Sequence, residues 1–169
     1  MSIEDALPVA EKFRLALRRM PGPVSLVTTC EVGGEDPSGM IASAVIPVSM
    51  EPPSMLVAIN QSNTTHGVVH RSQRFCINML GARHKDFVSV FSDPDQRDKR
   101  FATGDWEYDR GLPYLRDARF NIMCRVSDSL VFGTHELFVG EVDEVWGDPA
   151  DDFSLGWMEG GFARIERMT

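Results

Sequence analysis

Positive charge is in short supply in this sequence. Seventeen Lys and Arg stand against 25 Asp and Glu, a net charge of −8. Nonspecific nucleic-acid binding needs a basic footprint, and an anionic membrane surface attracts one, so both kinds of partner are disfavoured. An anionic ligand must be met by a local nest of N–H and O–H donors, because the overall field does not attract it. Cysteine is also scarce. Cys30, Cys76 and Cys124 lie far apart and form no Cys-x-x-Cys pair. Their apolar, strand-like surroundings read as buried free thiols in a reducing cytosol, which gives the expectation of a cytoplasmic protein. No apolar run is long enough to span a bilayer. The opening "MSIEDALPVAEKFRLALRRM" carries acids early and no apolar core, so no signal peptide is expected. Familiar catalytic signatures are missing too. There is no Gly-x-Ser-x-Gly elbow, and "GGEDPSG" is neither a Walker A loop nor a dinucleotide fingerprint. No Cys has a sequence context that activates it.

What is present is a chain of 169 residues, 43% hydrophobic, sized for one domain over residues 1–169 with a real core. Fourteen Gly and ten Pro favour a turn-rich β architecture. Val9, Phe13, Ala16, Leu17 and Met20 recur at helical spacing and stop at Pro21-Gly22-Pro23, which predicts one amphipathic helix. "VSLVTTC", "MIASAVIPV", "SMLVAIN", "RFCINML", "RFNIMCRVSDSL" and "ELFVGEVDEVW" read as strands, with Pro47 marking an edge or a bulge. "SNTTHGVVHRS" reads as a short helix capped by Asn63 or Thr64. "HKDFVSVFS" reads as another, with Phe87 and Phe91 four apart. "DPDQRDKRFATGDWEYDRGLPYL" reads as a long charged loop. About seven strands with irregularly placed helices predict a mainly β fold with flanking helices, closed or nearly closed into an antiparallel barrel, since closure removes sticky sheet edges.

Few residues announce chemistry. His66 and His70 are spaced i, i+4, but "HGVVH" lacks the Glu of a zinc-protease helix, and two ligands alone make a weak site. Surface or capping histidines are the plainer reading. Asp151-Asp152 reads as a solvated turn. A distributed set of small donors remains. Ser43, Ser49 and Ser54 interrupt the otherwise apolar run Gly39–Ile59. "NQSNTT", Asn60 to Thr65, runs from a strand end into a helix N-terminus, where free N–H groups, a favourable dipole and the hydroxyls of Ser62, Thr64 and Thr65 suit a phosphate. An ordinary Ser/Thr-rich helix cap fits those residues equally well.

Taken in order, these pieces resemble the flavin reductase family with the FMN-binding split-barrel fold, the reductase components of two-component flavin-dependent monooxygenases. The resemblance runs from about Phe13 to Ile165 and rests on six segments: "FRLALRRMPGPVSLVTT", "SGMIASAVIPVSMEPPSMLVAI", "SNTTHGVVHRSQRFCINML", "DKRF", "GLPYLRDARFNIMCRV" with "GTHELFVGEV", and "WMEGGFARIE". It implies that Met40, Ile41, Ala42, Ser43 and Ala44 lie along the flavin ring, where small residues let a flat tricycle approach the backbone. It implies that Ser49, Ala58, Ile59 and Asn60 follow the ring edge and ribityl chain. Ser62, Thr64 and Thr65 would hold the flavin phosphate, with Lys99 and Phe101 beside them. Three departures from the family pattern stand out. Asp-Lys-Phe becomes Asp98-Lys99-Arg100-Phe101, so either cation could face the phosphate. Gly-Asp-His becomes Gly133-Thr134-His135. The aromatic tail reads Trp157-Met158-Glu159-Gly160-Gly161-Phe162.

The implied reaction is hydride transfer from NADH or NADPH to FMN or FAD, which needs no strong acid, base or nucleophile. His135 is expected to orient the nicotinamide, with Trp157, Gly160 and Phe162 on the same side. A strand-end histidine and a core tryptophan are the plainer readings of His135 and Trp157. The resemblance also implies a homodimer, for which Phe75, Phe91 and Phe132 are available, and a separate oxygenase that receives diffusible reduced flavin. Rival readings are a pyridoxamine-phosphate-oxidase-like enzyme and a non-enzymatic flavin carrier or sensor. The first wants more basic residues at the phosphate than the sequence supplies. A haem-binding variant of the second wants an exposed His66, His70 or His84.

Overall fold

In the computed structural model, residues 7–147 and 153–168 are described; Asp151-Asp152 lies outside them. Among the described residues the chain forms three helices and twelve strands. The seven-stranded antiparallel sheet has the order β3 (Pro37–Ala42), β2 (Ser25–Cys30), β6 (Arg74–Met79), β9 (Phe120–Phe132), β10 (His135–Trp146), β5 (Pro53–Asn60), β4 (Val45–Met50). The two edge strands, β3 and β4, are separated by Ser43 and Ala44 alone. Consecutive strands at opposite edges require the sheet to curl until its edges approach. The carbonyl of Ala44 accepts from the Ala58 amide at 3.1 Å, which carries the β4–β5 pairing one step beyond Val45 to the corner between β3 and β4. β3 and β4 are not paired with each other, so the result is a barrel left split between its edge strands, with the small residues 43–44 at the corner.

The sequence reads "MIASAVIPV" as one strand. The chain instead changes partners in the middle of it, from β2 to β5, and no local pattern encodes that exchange. The Pro47 bulge is present, as a register shift between Pro47 and Ser49 on edge strand β4. The barrel is filled by the β-branched and aromatic faces of its strands. Phe75 and Phe138 are fully buried and pack with Val27, Val57, Ile59 and Ile77. Each contributes roughly 1.5–3 kcal/mol by leaving water. Gly140 sits under Phe75: a Cβ there would lie 2.6 Å from the ring, so a side chain is excluded. Of the three phenylalanines proposed for an interface, Phe75 and Phe91 belong to the core, and Phe132 is 78% exposed.

Helices flank the barrel. Helix α2 (Thr64–Ser72) is capped by Asn63, whose Oδ1 accepts from the Thr65 amide at 2.9 Å, and ends at Gln73 in the left-handed region. Helix α3 (Lys85–Ser92) buries Val88 and Phe91. Helix α1 (Val9–Arg18) follows its predicted limits and buries no residue. The long "loop" has structure of its own. Residues Pro94–Lys99 form a 3-10 helix, and β7 (Trp106–Asp109) and β8 (Leu112–Leu115) form a hairpin. Its turn, Arg110-Gly111, has positive φ at both positions, the two-residue turn that matches strand twist. Gly111 also touches Gly34 backbone to backbone, where a Cβ would come within 2.6 Å of Gly34 Cα. The first strand, β1 (Gly22–Pro23), and the last two, β11 (Ser154–Met158) and β12 (Gly161–Ile165), make a small sheet of order β1-β11-β12. All three cysteines are free and buried. Burial pushes the Cys124 thiol up to about 12.

Candidate functional site

Two adjoining cavities lie beside the split of the barrel. One, of about 500 Å³, is lined by Met40 and Ile41 of β3, Asn60, the β5–α2 turn, Phe91 and Ser92 of α3, and Arg97. The other, of about 380 Å³, is lined by Val24, Ile41, Ser43, the α3 residues Val88, Ser89 and Ser92, and the aromatic pair Trp157 and Phe162. Ile41 and Ser92 line both, so the two form one trough along β3 under α3.

The first cavity ends in donors. In the β5–α2 turn, Asn60 Oδ1 accepts from the Ser62 amide at 2.9 Å and from the Ser62 hydroxyl at 2.8 Å. The Asn63 amide donates to the Asn60 carbonyl, and the His66 amide to the Asn63 carbonyl. The turn is thus preorganised by its own side chains. The hydroxyls of Ser62 and Thr64 are left at the cavity wall beside the positive end of α2. Arg97 donates from Nη2 to Thr64 Oγ1 at 2.8 Å, bringing a guanidinium to the same spot. Arg100 lines the same cavity, and three of its five N–H donors go to the carbonyls of Gly39, Val90 and Asp93. Burial, and then the neighbouring Arg97 charge, lower its pKa. This donor set fits a phosphate monoester: hydroxyls, a helix N-terminus and the guanidinium of Arg97 with that of Arg100 beside it, in a chain of net charge −8. The apolar wall of Met40, Ile41 and Phe91 fits a flat ring.

The second cavity ends in aromatics. Trp157 and Phe162 flank the β11–β12 turn and meet edge to face, centroids 5.2 Å apart. Lys85 Nζ stands 5.7 Å over the Phe162 ring. No Asp, Glu, His, Cys or Lys lines either cavity among the described residues. Such a trough binds and orients a ligand, and offers no side chain for general acid–base or thiolate chemistry.

The model of the flavin reductase-like domain matches residues 17–166. This chain belongs to the flavin reductase-like family. Among curated proteins it is 36% identical to the reductase component of an FADH(2)-dependent resorcinol hydroxylase from a Rhizobium species, over 79% of this chain and 75% of that protein. It is also 36% identical to the FMN reductase (NADH) RutF of Methylorubrum populi, over 84% of this chain and 70% of that protein. Among solved structures, a nitrilotriacetate monooxygenase component B homologue from Mycobacterium thermoresistibile superposes with a TM-score of 0.83. Its sequence identity is 26%, over 93% of this chain and 87% of that one.

Within this flavin reductase fold the residues expected from sequence separate into two groups. Met40, Ile41, Ser43, Asn60, Ser62, Thr64, Trp157 and Phe162 line the trough. The others lie off it. Ala42 and Ile59 are buried in the barrel core, Ala44 sits at the corner, and Ala58 pairs with Leu137. Thr65 is fully buried, with Oγ1 at 2.9 Å from Ser38 Oγ, so its hydroxyl faces the barrel. Ser49 is spent in the β4–β5 turn, where its Oγ donates to the Glu51 carbonyl and accepts from the Glu51 amide. Lys99 lines neither cavity. Phe101 packs edge to face behind the wall against Phe91, centroids 5.5 Å apart. Gly160 holds a positive φ in the β11–β12 turn, with Arg18 3.1 Å from where a Cβ would be. His135 pairs with Asn60 across β10–β5, and its Nδ1 lies 2.9 Å from Thr134 Oγ1. Of the haem candidates, His84 is buried, with Nδ1 accepting from the Gly81 amide.

Sequence reasoning missed Arg97 and the α3 wall. The resemblance pointed to Lys99 or Arg100, of which Arg100 lines the first cavity. The 3-10 turn at Pro94–Lys99 adds Arg97, directed to Thr64, a placement fixed by tertiary packing. Ser89 and Ser92 carry a usable signal, three apart on a helix whose other face holds Phe87 and Phe91.

Proposed function

We propose that this chain, as a single unit over residues 1–169, transfers hydride from NADH to FMN and releases reduced flavin to a separate oxygenase. The observation that carries this reading is the trough itself. It has a phosphate-fitting end at Ser62, Thr64 and Arg97, an aromatic end at Trp157 and Phe162, and no acid, base or thiol among its described lining residues. FMN and NADH are the pair named for the RutF relative. Transfer to an oxygenase rests on the resorcinol hydroxylase reductase component.

A bound flavin supplies the electron-accepting chemistry; the residues supply place and surroundings. Ser62, Thr64 and Arg97 would hold its phosphate. Asn60 would meet the ribityl chain, and Met40, Ile41 and Phe91 would form an apolar wall for the ring. Trp157 and Phe162 present ring faces and edges on which a nicotinamide can stack. His135 is carried forward as a residue that orients the donor, on the strength of its half-buried imidazole opposite Asn60. Hydride transfer gains from this by proximity and orientation, and requires no protein-borne proton.

We further infer a homodimer. Leu130, Val131 and Phe132 at the β9–β10 tip and Ile46 and Val48 on edge strand β4 are all more than half exposed or close to it, a density of apolar surface that calls for a partner. The cytoplasm is the inferred compartment, supported by three buried free thiols. None of the described helices is long and apolar enough to cross a membrane. The function is tested by following NADH oxidation by the purified protein while FMN, FAD and riboflavin are added in turn. A rate that rises and saturates with free FMN is expected. No turnover, with a yellow chromophore retained through purification, would establish a flavin carrier instead. A monomer in sedimentation would remove the dimer.

A further inference from the structure

Glu136 is 4% exposed, on β10 between Ile59 and Val131 of the neighbouring strands. Burying a carboxylate is costly unless it is fully paired, and an apolar residue in such a place is often as stable or more so. This one is paired on both oxygens. Oε1 accepts from the Ser129 hydroxyl at 2.7 Å. Oε2 lies 2.7 Å from His66 Nε2 and 3.4 Å from His70 Nδ1. The two imidazoles stack along one face of α2, centroids 6.0 Å apart, and His66 also packs on Phe138 at 5.7 Å. Among the described residues no His, Cys, Asp and Glu cluster can hold a metal ion, so the carboxylate itself is what the histidines meet.

The position of His66 gives this cluster its meaning. It lies in the first turn of α2, two residues after Thr64. At the other end of the same turn, the Gln61 amide donates to the Thr134 carbonyl at 3.0 Å, and Gln61 Nε2 to the Gly133 carbonyl at 3.3 Å. The β9–β10 hairpin therefore grips the β5–α2 turn on both sides, at Gln61 and at His66. Ser62 and Thr64 lie between the two grips.

We propose that Glu136 is a positioning residue: through His66 it clamps the first turn of α2 to the barrel and fixes the hydroxyls of Ser62 and Thr64 where a flavin phosphate is held. The proposal rests on the phosphate reading given above. Glu136 touches no wall of the trough and acts only through α2. A clamp of this kind affects flavins that carry a phosphate and spares those that do not.

The test compares FMN with riboflavin as acceptors for the full-length protein. Wild type is expected to show a much lower KM for FMN than for riboflavin. Glu136→Leu, of similar volume, is expected to raise the FMN KM about tenfold and to move the riboflavin KM by no more than about twofold. Glu136→Gln keeps an acceptor for His66 and is expected to restore the FMN KM to within about threefold of wild type. His66→Phe keeps the packing on Phe138, removes the donor and reads the same clamp from the helix side, so the proposal stays testable if Glu136→Leu fails to fold. An unchanged FMN KM in these variants, or equal rises for FMN and riboflavin, would overturn the clamp and leave the phosphate reading standing. A wild-type protein that does not distinguish FMN from riboflavin would remove the phosphate cradle, and the clamp with it.

Discussion

The two ends of the trough are built differently. The phosphate end is held by a dense set of short polar contacts: Asn60 and Asn63 within the turn, Gln61 and His66 to the β9–β10 hairpin, and Arg97 to Thr64. The aromatic end stands on the three-stranded sheet β1-β11-β12, where Trp157 is 42% exposed and the adjacent helix α1 buries nothing. One end is preorganised and the other open. A reductase that must take in and release two different nucleotides benefits from that asymmetry: a rigid seat for the flavin, and an adaptable wall for the donor that comes and goes.

Breaking the rigid end has the largest expected effect. Arg97→Ala removes the one guanidinium bonded to Thr64 and is expected to raise the KM for FMN by about tenfold to a hundredfold, with riboflavin unaffected. Lys99→Ala is expected to change it by less than about twofold. The reverse order in steady-state kinetics would return the phosphate contact to Lys99. At the open end, Trp157→Ala is expected to raise the NADH KM about tenfold through lost stacking and to leave the FMN KM in place. Parallel changes in both constants would show that the two ends are one site. His135→Ala is expected to raise the NADH KM by a few-fold more than the FMN KM, and equal changes would take His135 out of donor orientation.

Smaller effects sharpen the contrast in stability. Asn63→Ala loses the α2 cap and is expected to cost about 1 kcal/mol in denaturant unfolding, together with a weaker FMN KM. The pH dependence is a further check. Hydrogen bonds from Ser129 and His66 outweigh the opposing and largest single influence, burial, so the Glu136 carboxyl titrates below its ordinary value. A carboxyl lowered by folding stabilises the protein above its unfolded pKa and loses that contribution as pH falls through its folded one. The Tm advantage of wild type over Glu136→Gln should therefore be full above the ordinary glutamate value of 4.5 and shrink as pH falls below it. A gap that stays constant would show that the charge contributes nothing.

Much of this was legible in the sequence where the chemistry is local. The Asn63 cap, the Pro47 bulge, the Phe87–Phe91 spacing of α3 and the hydroxyl turn at Ser62–Thr64 each follow from a few adjacent residues. The split at Ser43-Ala44 was not, because it depends on which distant strands β3 and β4 join. The β7–β8 hairpin was hidden by its charged surroundings, although Arg110-Gly111 carries the turn. Thr65 looked like a phosphate ligand by spacing, yet helix geometry turns its hydroxyl to Ser38. His66 and His70 read in the sequence as surface or capping histidines; their shared partner Glu136 is 66 residues beyond His70 in sequence, and no pattern pairs them.

The most direct test is a crystal structure of the protein with FMN bound. The account predicts the phosphate within hydrogen-bonding reach of Ser62, Thr64 and Arg97, the ring against Met40 and Ile41, and an open face toward Trp157. A phosphate seated at Lys99, or a flavin bound outside the trough along β3, would contradict it.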